Sequence, residues 1–325
     1  MKNAFSPLPF LKNKYLQTAL SSSRVRTWRP SALRTKSVLK ILELDDGVRL
    51  SGAYTTQHQR PPKGVVILIH GWEGSMDSAY IQATGRTLYN NGYNVFRLNL
   101  RDHGDSHHLN DGLFFATRLP EACQAVSRIA EMSAGLPVFL TGFSLGGNFA
   151  LRIARQCAEK QITHLKHIVA VSPVLDPDRA TDAVDNEPMI LRYFLKKWFR
   201  SLRKKETLFP ALYDFSDVYN MSSIRDITDA LVPRFSMHKD TAEYFSKYTL
   251  NTAQLKEITI PTTIVTAADD PIIPVEDFHN LRLGPGTEII IHDHGGHNGF
   301  IDGWLFSTWY EKKMTRLFQR HDVRC

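Results

Sequence analysis

The chain has 325 residues, 42% of them hydrophobic and 22% charged, with 19 glycines and 16 prolines. That composition excludes collagen-like, disordered and disulfide-scaffold classes, and the length allows two domains or, equally well, one domain of about 250 residues carrying an insertion. The 40 Lys and Arg against 33 Asp and Glu leave a net charge of +7, which predicts solubility and a mild preference for anions but does not imply nucleic acid.

Residues 1–37 read as a mostly irregular N-terminal arm. Prolines and lysines interrupt its apolar stretches where a secretory signal needs an unbroken one, and no run of about 18 apolar residues occurs anywhere, so a cytoplasmic protein is expected. Short β-branched or apolar runs then recur at 38–44, 48–54, 64–70, 93–100, 137–142, 167–171, 262–266 and 288–292, predicting eight strands. Runs such as VVILI and TTIVTA do not alternate, as expected of strands covered on both faces. Helical segments are predicted at 78–91, 119–131, 145–160, 275–280 and 303–321. The fold class expected is α/β, a mostly parallel eight-stranded sheet with helices on both faces. Between 176 and 258 the alternation stops, and Leu191, Phe194, Leu195, Trp198, Phe199 and Leu202 fall on one helical face. This stretch is expected to be a helical cap inserted into a catalytic core formed by 38–175 and 259–325.

The strongest chemical signal is PVFLTGFSLGG at 137–147, where a strand runs through Gly142-Phe143-Ser144-Leu145-Gly146 into a helix. Such an elbow strains the serine backbone and exposes its hydroxyl at the sheet edge, and glycines flank it because a Cβ there meets the neighbouring strand and helix. A serine hydroxyl is a weak nucleophile and needs a base, and the base needs a group that sets its tautomer. Both follow in chain order, each after a strand. In TTIVTAADDPIIP the D-P-x-x-P turn favours Asp270 as the acid, with Asp269 the alternative. In HDHGGHNGF the Gly295-Gly296 pair gives His297 freedom to reach Ser144, leaving His292 and His294 as packing residues. Backbone N–H groups for a developing oxyanion are expected from Leu145 and from Trp72 in the H-G-W-E-G loop at 70–74.

Two other constellations of polar side chains compete with this reading. Asp102, His103, Asp105, His107 and His108, and later His292, Asp293, His294 and His297, carry ligand-type side chains, but neither cluster has a helical H-E-x-x-H pair, and structural hydrogen bonding is the better expectation. Cys123, Cys157 and Cys325 lie far apart without CxxC spacing, so no disulfide framework, zinc site or other cofactor is predicted. The segment 191–205 joins an apolar face to a basic one; a cap helix with a solvated basic face is preferred to a helix lying on an anionic membrane.

These residues resemble the α/β-hydrolase superfamily and, within it, the YheT-like branch of esterase-like hydrolases, related to eukaryotic abhydrolase-domain proteins acting on lipids. The likeness rests on GFSLGGN, HGWEGS, NLRDHGDSHHLN, IPTTIVTAADDPIIP, HGGHNGF and an N-terminal arm, FSPLPFLKNKYLQT. It differs from that branch at Trp72, where leucine is frequent, and at Lys14-Tyr15, where Pro and His are common. The resemblance implies a triad of Ser144, Asp270 and His297 that hydrolyses a small carboxylic ester or lipid-like substrate through an acyl-enzyme. Acyl transfer or thioester chemistry would use the same triad. A non-catalytic binding protein of the same fold is disfavoured because serine, acid and histidine all stand in place.

Overall fold

The computed structural model describes residues 5–58, 60–303 and 306–321. The strands are β1 (Val38–Glu43), β2 (Arg49–Thr55), β3 (Val65–Ile69), β4 (Asn94–Leu98), β5 (Val138–Phe143), β6 (Leu165–Val171), β7 (Thr262–Ala267) and β8 (Thr287–His292). They build one sheet ordered β1-β2-β4-β3-β5-β6-β7-β8, in which β2 alone runs against its neighbours. Each coincides with a predicted strand. The β1–β2 hairpin turns at Asp46-Gly47, both with positive φ (56° and 73°), the conformation an Asp-Gly turn supplies.

The helices are α1 (Lys14–Ser21), α2 (Ala32–Thr35), α3 (Ala79–Asn90), α4 (Leu119–Glu131), α5 (Leu145–Gln156), α6 (Pro177–Asp185), α7 (Pro188–Leu208), α8 (Ile224–Phe235), α9 (Thr241–Ser246), α10 (Thr252–Leu255) and α11 (Trp309–Gln319). Alternate residues of the central strands serve different layers. Val65, Ile67 and Ile69 of β3 join one core with α4 and α5, while Val66 and Leu68 join another with α3 and α11. Burial on both faces explains the unbroken apolar runs, each fully buried Val, Leu or Ile side chain contributing roughly 1.5–3 kcal/mol.

Three expectations are corrected. The arm is not mostly irregular: among its described residues it holds α1, capped by the Asn13 side chain accepting from Leu16 N–H at 3.0 Å, and α2, capped by Ser31. Its buried face carries Gln17 and Ser21, so no apolar period announced it. The helix expected at 275–280 is a single 3-10 turn, Val275–Phe278. The one expected from 303 begins at Trp309, where Thr308 and Glu311 form a capping box; residues 304–305 of that prediction lie outside the described residues. Among the described residues no helix is long and apolar enough to cross a membrane.

Candidate active site

Because β3, β5, β7 and β8 run parallel, the segments after them meet at one edge of the sheet. Ser144 follows β5 and begins α5 with φ 54° and ψ −121°, a strained backbone for a residue with a side chain. A Cβ on Gly142 would lie 2.0 Å from Gly146 O, and one on Gly146 would lie 2.4 Å from His70 O, so any larger residue would force β5, α5 and β3 apart. Among the described residues the hydrogen bonds reaching Ser144 are those of its backbone, to Val171 O and from the N–H groups of Asn148 and Val174.

After β7, Asp270 Oδ1 accepts from Ile272 N–H at 2.9 Å and Ile273 N–H at 3.1 Å, which fixes the carboxylate in the D-P-I-I-P turn. After β8, His297 Nδ1 donates to it, 3.0 Å from Oδ2 and 3.2 Å from Oδ1, with both side chains buried. Asp269 turns to a different histidine: Nδ1 of His294 lies 3.5 Å away, and Asp269 Oδ1 accepts from Gly296 N–H at 2.8 Å. Desolvation raises the Asp269 pKa from its ordinary value, against the Gly296 N–H and His294. The structure thus joins Asp270 to His297, sets Asp269 beside them as a loop brace, and brings Ser144 to the same edge without a hydrogen bond to His297. His292 packs edge-on against Trp309 at 4.3 Å.

The loop after β3 completes the edge. A Cβ on Gly71 would lie 3.0 Å from Ser144 Cβ, so this backbone passes directly beside the serine. Tyr80 Oη accepts from Gly71 N–H at 3.0 Å, and Gly74 N–H donates to Gly71 O at 2.9 Å, closing the turn. Among the described residues neither Trp72 N–H nor Leu145 N–H donates to a protein acceptor. His70 locks the loop to the next one: Nδ1 donates to Gly71 O at 2.8 Å and Nε2 accepts from Leu100 N–H at 3.2 Å. Burial, then the neighbouring His103, holds His70 well below the ordinary imidazole range, consistent with that neutral tautomer.

The first histidine and aspartate cluster is tied to its own loop backbone and to α7. His103 Nδ1 donates to Arg101 O, His107 Nε2 meets Ser201 Oγ at 2.7 Å, Asp105 pairs with Lys204, and His108 is exposed. Among the described residues no group of three or more His, Cys, Asp or Glu is disposed to hold a metal ion. Cys123 and Cys157 are free thiols, and Cys325 lies outside the described residues.

A cavity of about 160 Å³ opens beside Ser144, lined by Trp72, Phe114 and Leu145 from the core and by Phe194, Trp198 and Leu202 from α7. The Trp72 ring stacks on Phe194 at 5.3 Å and meets the edge of Trp198 at 4.9 Å.

The family model described as "Serine aminopeptidase, S33" (Hydrolase_4) matches residues 60–300, which include every element of this site. The chain belongs to this family of α/β hydrolases. Among curated proteins, this S33 hydrolase is 23% identical over 322 residues to "Putative esterase YheT" of Escherichia coli (strain K12), covering 95% of this chain and 91% of that one. It is 24% identical to "Monoacylglycerol lipase ABHD2" of Danio rerio, covering 100% of this chain and 82% of the relative. Among solved structures, the Pyrococcus furiosus esterase Pf2001 shares the fold with a TM-score of 0.59 at 18% identity, over 90% of this chain and 93% of that one.

Two residues of the S33 hydrolase's cavity were not legible in its motifs. Lys205 belongs to the basic stretch expected to be solvated, yet its side chain is 1% exposed. Its ammonium donates to Asp102 Oδ1 at 2.8 Å, Asn110 O at 2.7 Å and Gly112 O at 3.1 Å, while Asp102 Oδ2 accepts from Phe114 N–H at 2.8 Å. Burial lowers the Lys205 pKa and raises that of Asp102, each opposed by the other's charge. The signal lay in spacing, because Trp198, Leu202 and Lys205 stand at i, i+4 and i+7 on one stripe. Removing one partner of a buried pair strands the other, so Lys205→Met is expected to destabilise by about 3–5 kcal/mol, with much recovered in Lys205→Met/Asp102→Asn. Urea unfolding of the two variants checks this; equal losses would contradict it.

Glu73 follows Trp72 with φ 53°. Burial pushes its carboxyl up to about 8, against the pull of Lys197 and with a further rise from Asp102. Between the ordinary value of 4.5 and about 8 the folded chain keeps a proton that the unfolded chain has lost, so stability falls as pH rises through that window. Glu73→Gln should flatten that decline, measured as the urea midpoint against pH. Parallel curves for the two proteins would contradict the assignment.

Proposed function

We propose that this protein is a serine hydrolase of carboxylic esters, acting through an acyl-enzyme on Ser144. The observation that carries the reading is the buried His297–Asp270 pair at the same sheet edge as a serine on a strained elbow. The esterase and lipase names of the relatives support an ester rather than another acyl compound.

Ser144 Oγ attacks the ester carbonyl as its proton passes to His297 Nε2. Asp270 keeps the Nδ1–H tautomer, leaves Nε2 free to accept, and stabilises the imidazolium. Charge developing on the carbonyl oxygen is met by the N–H groups of Trp72 and Leu145, both without an acceptor among the described residues. The imidazolium returns its proton to the departing alcohol, and water, deprotonated by the same histidine, releases the acid.

The 176–258 segment serves as the cap, with α7 forming one wall of the acyl cavity. Trp198→Ala is therefore expected to shift preference among nitrophenyl esters of increasing chain length by about tenfold, with little change on the shortest. A uniform rate change across the series would contradict that role. Turnover of the ester series by the wild type tests the reaction class; aminoacyl nitroanilides cleaved in preference to every ester would overturn it. Added alcohol converted to new ester faster than hydrolysis proceeds would assign acyl transfer instead.

A further inference from the structure

Helix α1 lies against the loop that carries His297. Gln17 is fully buried, and its amide treats Ile301 as a neighbouring strand would: Oε1 accepts from Ile301 N–H at 2.9 Å and Nε2 donates to Ile301 O at 3.2 Å. The same Nε2 donates to Leu11 O at 2.7 Å. Thr18 Oγ1 accepts from the N–H of His297 itself at 2.9 Å while donating to Lys14 O at 2.7 Å. Contact is close enough that a Cβ on Gly296 would lie 2.3 Å from Lys14 O, and one on Gly299 would lie 2.7 Å from Gln17 Oε1. α1 also reaches the insertion, where Tyr15 Oη donates to the Glu187 carboxylate at 3.0 Å, at the residue immediately before α7.

We propose that α1 is a positioning element of the hydrolase, with Thr18 and Gln17 fixing the backbone of the His297 loop so that the imidazole stands over Ser144. The inference rests on His297 being the general base. A helix that only stabilised the fold could bury apolar side chains against the loop, whereas α1 presents Gln17 and Thr18, which make three hydrogen bonds to the backbone of residues 297 and 301. Neither residue lines the cavity beside Ser144. Each acts through the histidine's main chain, and tight placement matters because a displacement of about 1 Å at a reacting group can cost about 100-fold in rate.

The test compares wild type, Thr18→Val, Thr18→Ala, Thr18→Ser and His297→Ala on one nitrophenyl ester, with folding followed by circular dichroism. Thr18→Val and Thr18→Ala are expected to lose about 10- to 100-fold in kcat with KM within about twofold, and Thr18→Ser, which keeps the oxygen, to recover to within about threefold of wild type. A folded Thr18→Val with wild-type kcat beside an inactive His297→Ala would overturn the positioning role and leave the base assignment standing. Full turnover by His297→Ala would overturn both. Native-state hydrogen exchange of the wild type gives a reading that needs no variant: the peptides covering 14–21 and 293–301 should open together. Rapid exchange across α1 beside a protected 293–301 loop would overturn the proposal.

Discussion

Ser144→Ala is expected to lower kcat/KM on a nitrophenyl ester by about five to six orders of magnitude, since in the proposed mechanism His297 and the two backbone N–H donors would lose the nucleophile they serve. The substitution removes one oxygen from a residue whose side chain makes no cap hydrogen bond to α5. It also leaves Gly142 and Gly146, which make room for the turn, in place. Melting temperature should therefore stay close to that of the wild type. Turnover by the purified variant above about 1% of wild type would remove Ser144 from the mechanism, because a triad serine leaves only the residual catalysis of binding and the oxyanion site.

Asp270→Asn is expected to cost about 10⁴-fold in kcat, and the hydrogen bonds around it say why. Oδ1 accepts from both Ile272 and Ile273 N–H, so an asparagine keeps its carbonyl there and must turn its amide towards His297 Nδ1. The amide donates where the carboxylate accepted, which moves the imidazole proton to Nε2 and abolishes its capacity to take a proton from Ser144. Asp269→Asn differs in kind. The Asn oxygen can still accept from Gly296 N–H, so the loop keeps its brace and the loss should stay within about tenfold. The two single variants, assayed beside each other by kcat and KM, decide between the acids. Equal losses would mean that either acid orients His297.

Much of the fold was legible because its signals are local and strong. Val65–Ile69 and Thr262–Ala267 are buried on both faces, so their sequences carry no alternation and announce interior parallel strands. The elbow was legible because Gly142 and Gly146 are sterically required, and the Asp270 turn because two prolines constrain it. What escaped was burial of polar groups through partners remote in sequence. Gln17 pairs with Ile301, 284 positions away, and Lys205 with Asp102, 103 positions away. Nothing in a local window distinguishes a glutamine that replaces a strand from one in water. Lys205 was hidden for a further reason: charge suggests exposure, and only its position on the Trp198 and Leu202 stripe pointed inward.

Whether Ser144 carries the acyl group is read by peptide mass spectrometry after reaction with a fluorophosphonate and, separately, after quenching during turnover of a slow ester. A single phosphonyl adduct and a single acyl adduct are expected, both on Ser144, and neither in Ser144→Ala. Continued ester turnover with Ser144 unmodified, or an adduct on another residue that survives in Ser144→Ala, would contradict an acyl-enzyme on Ser144.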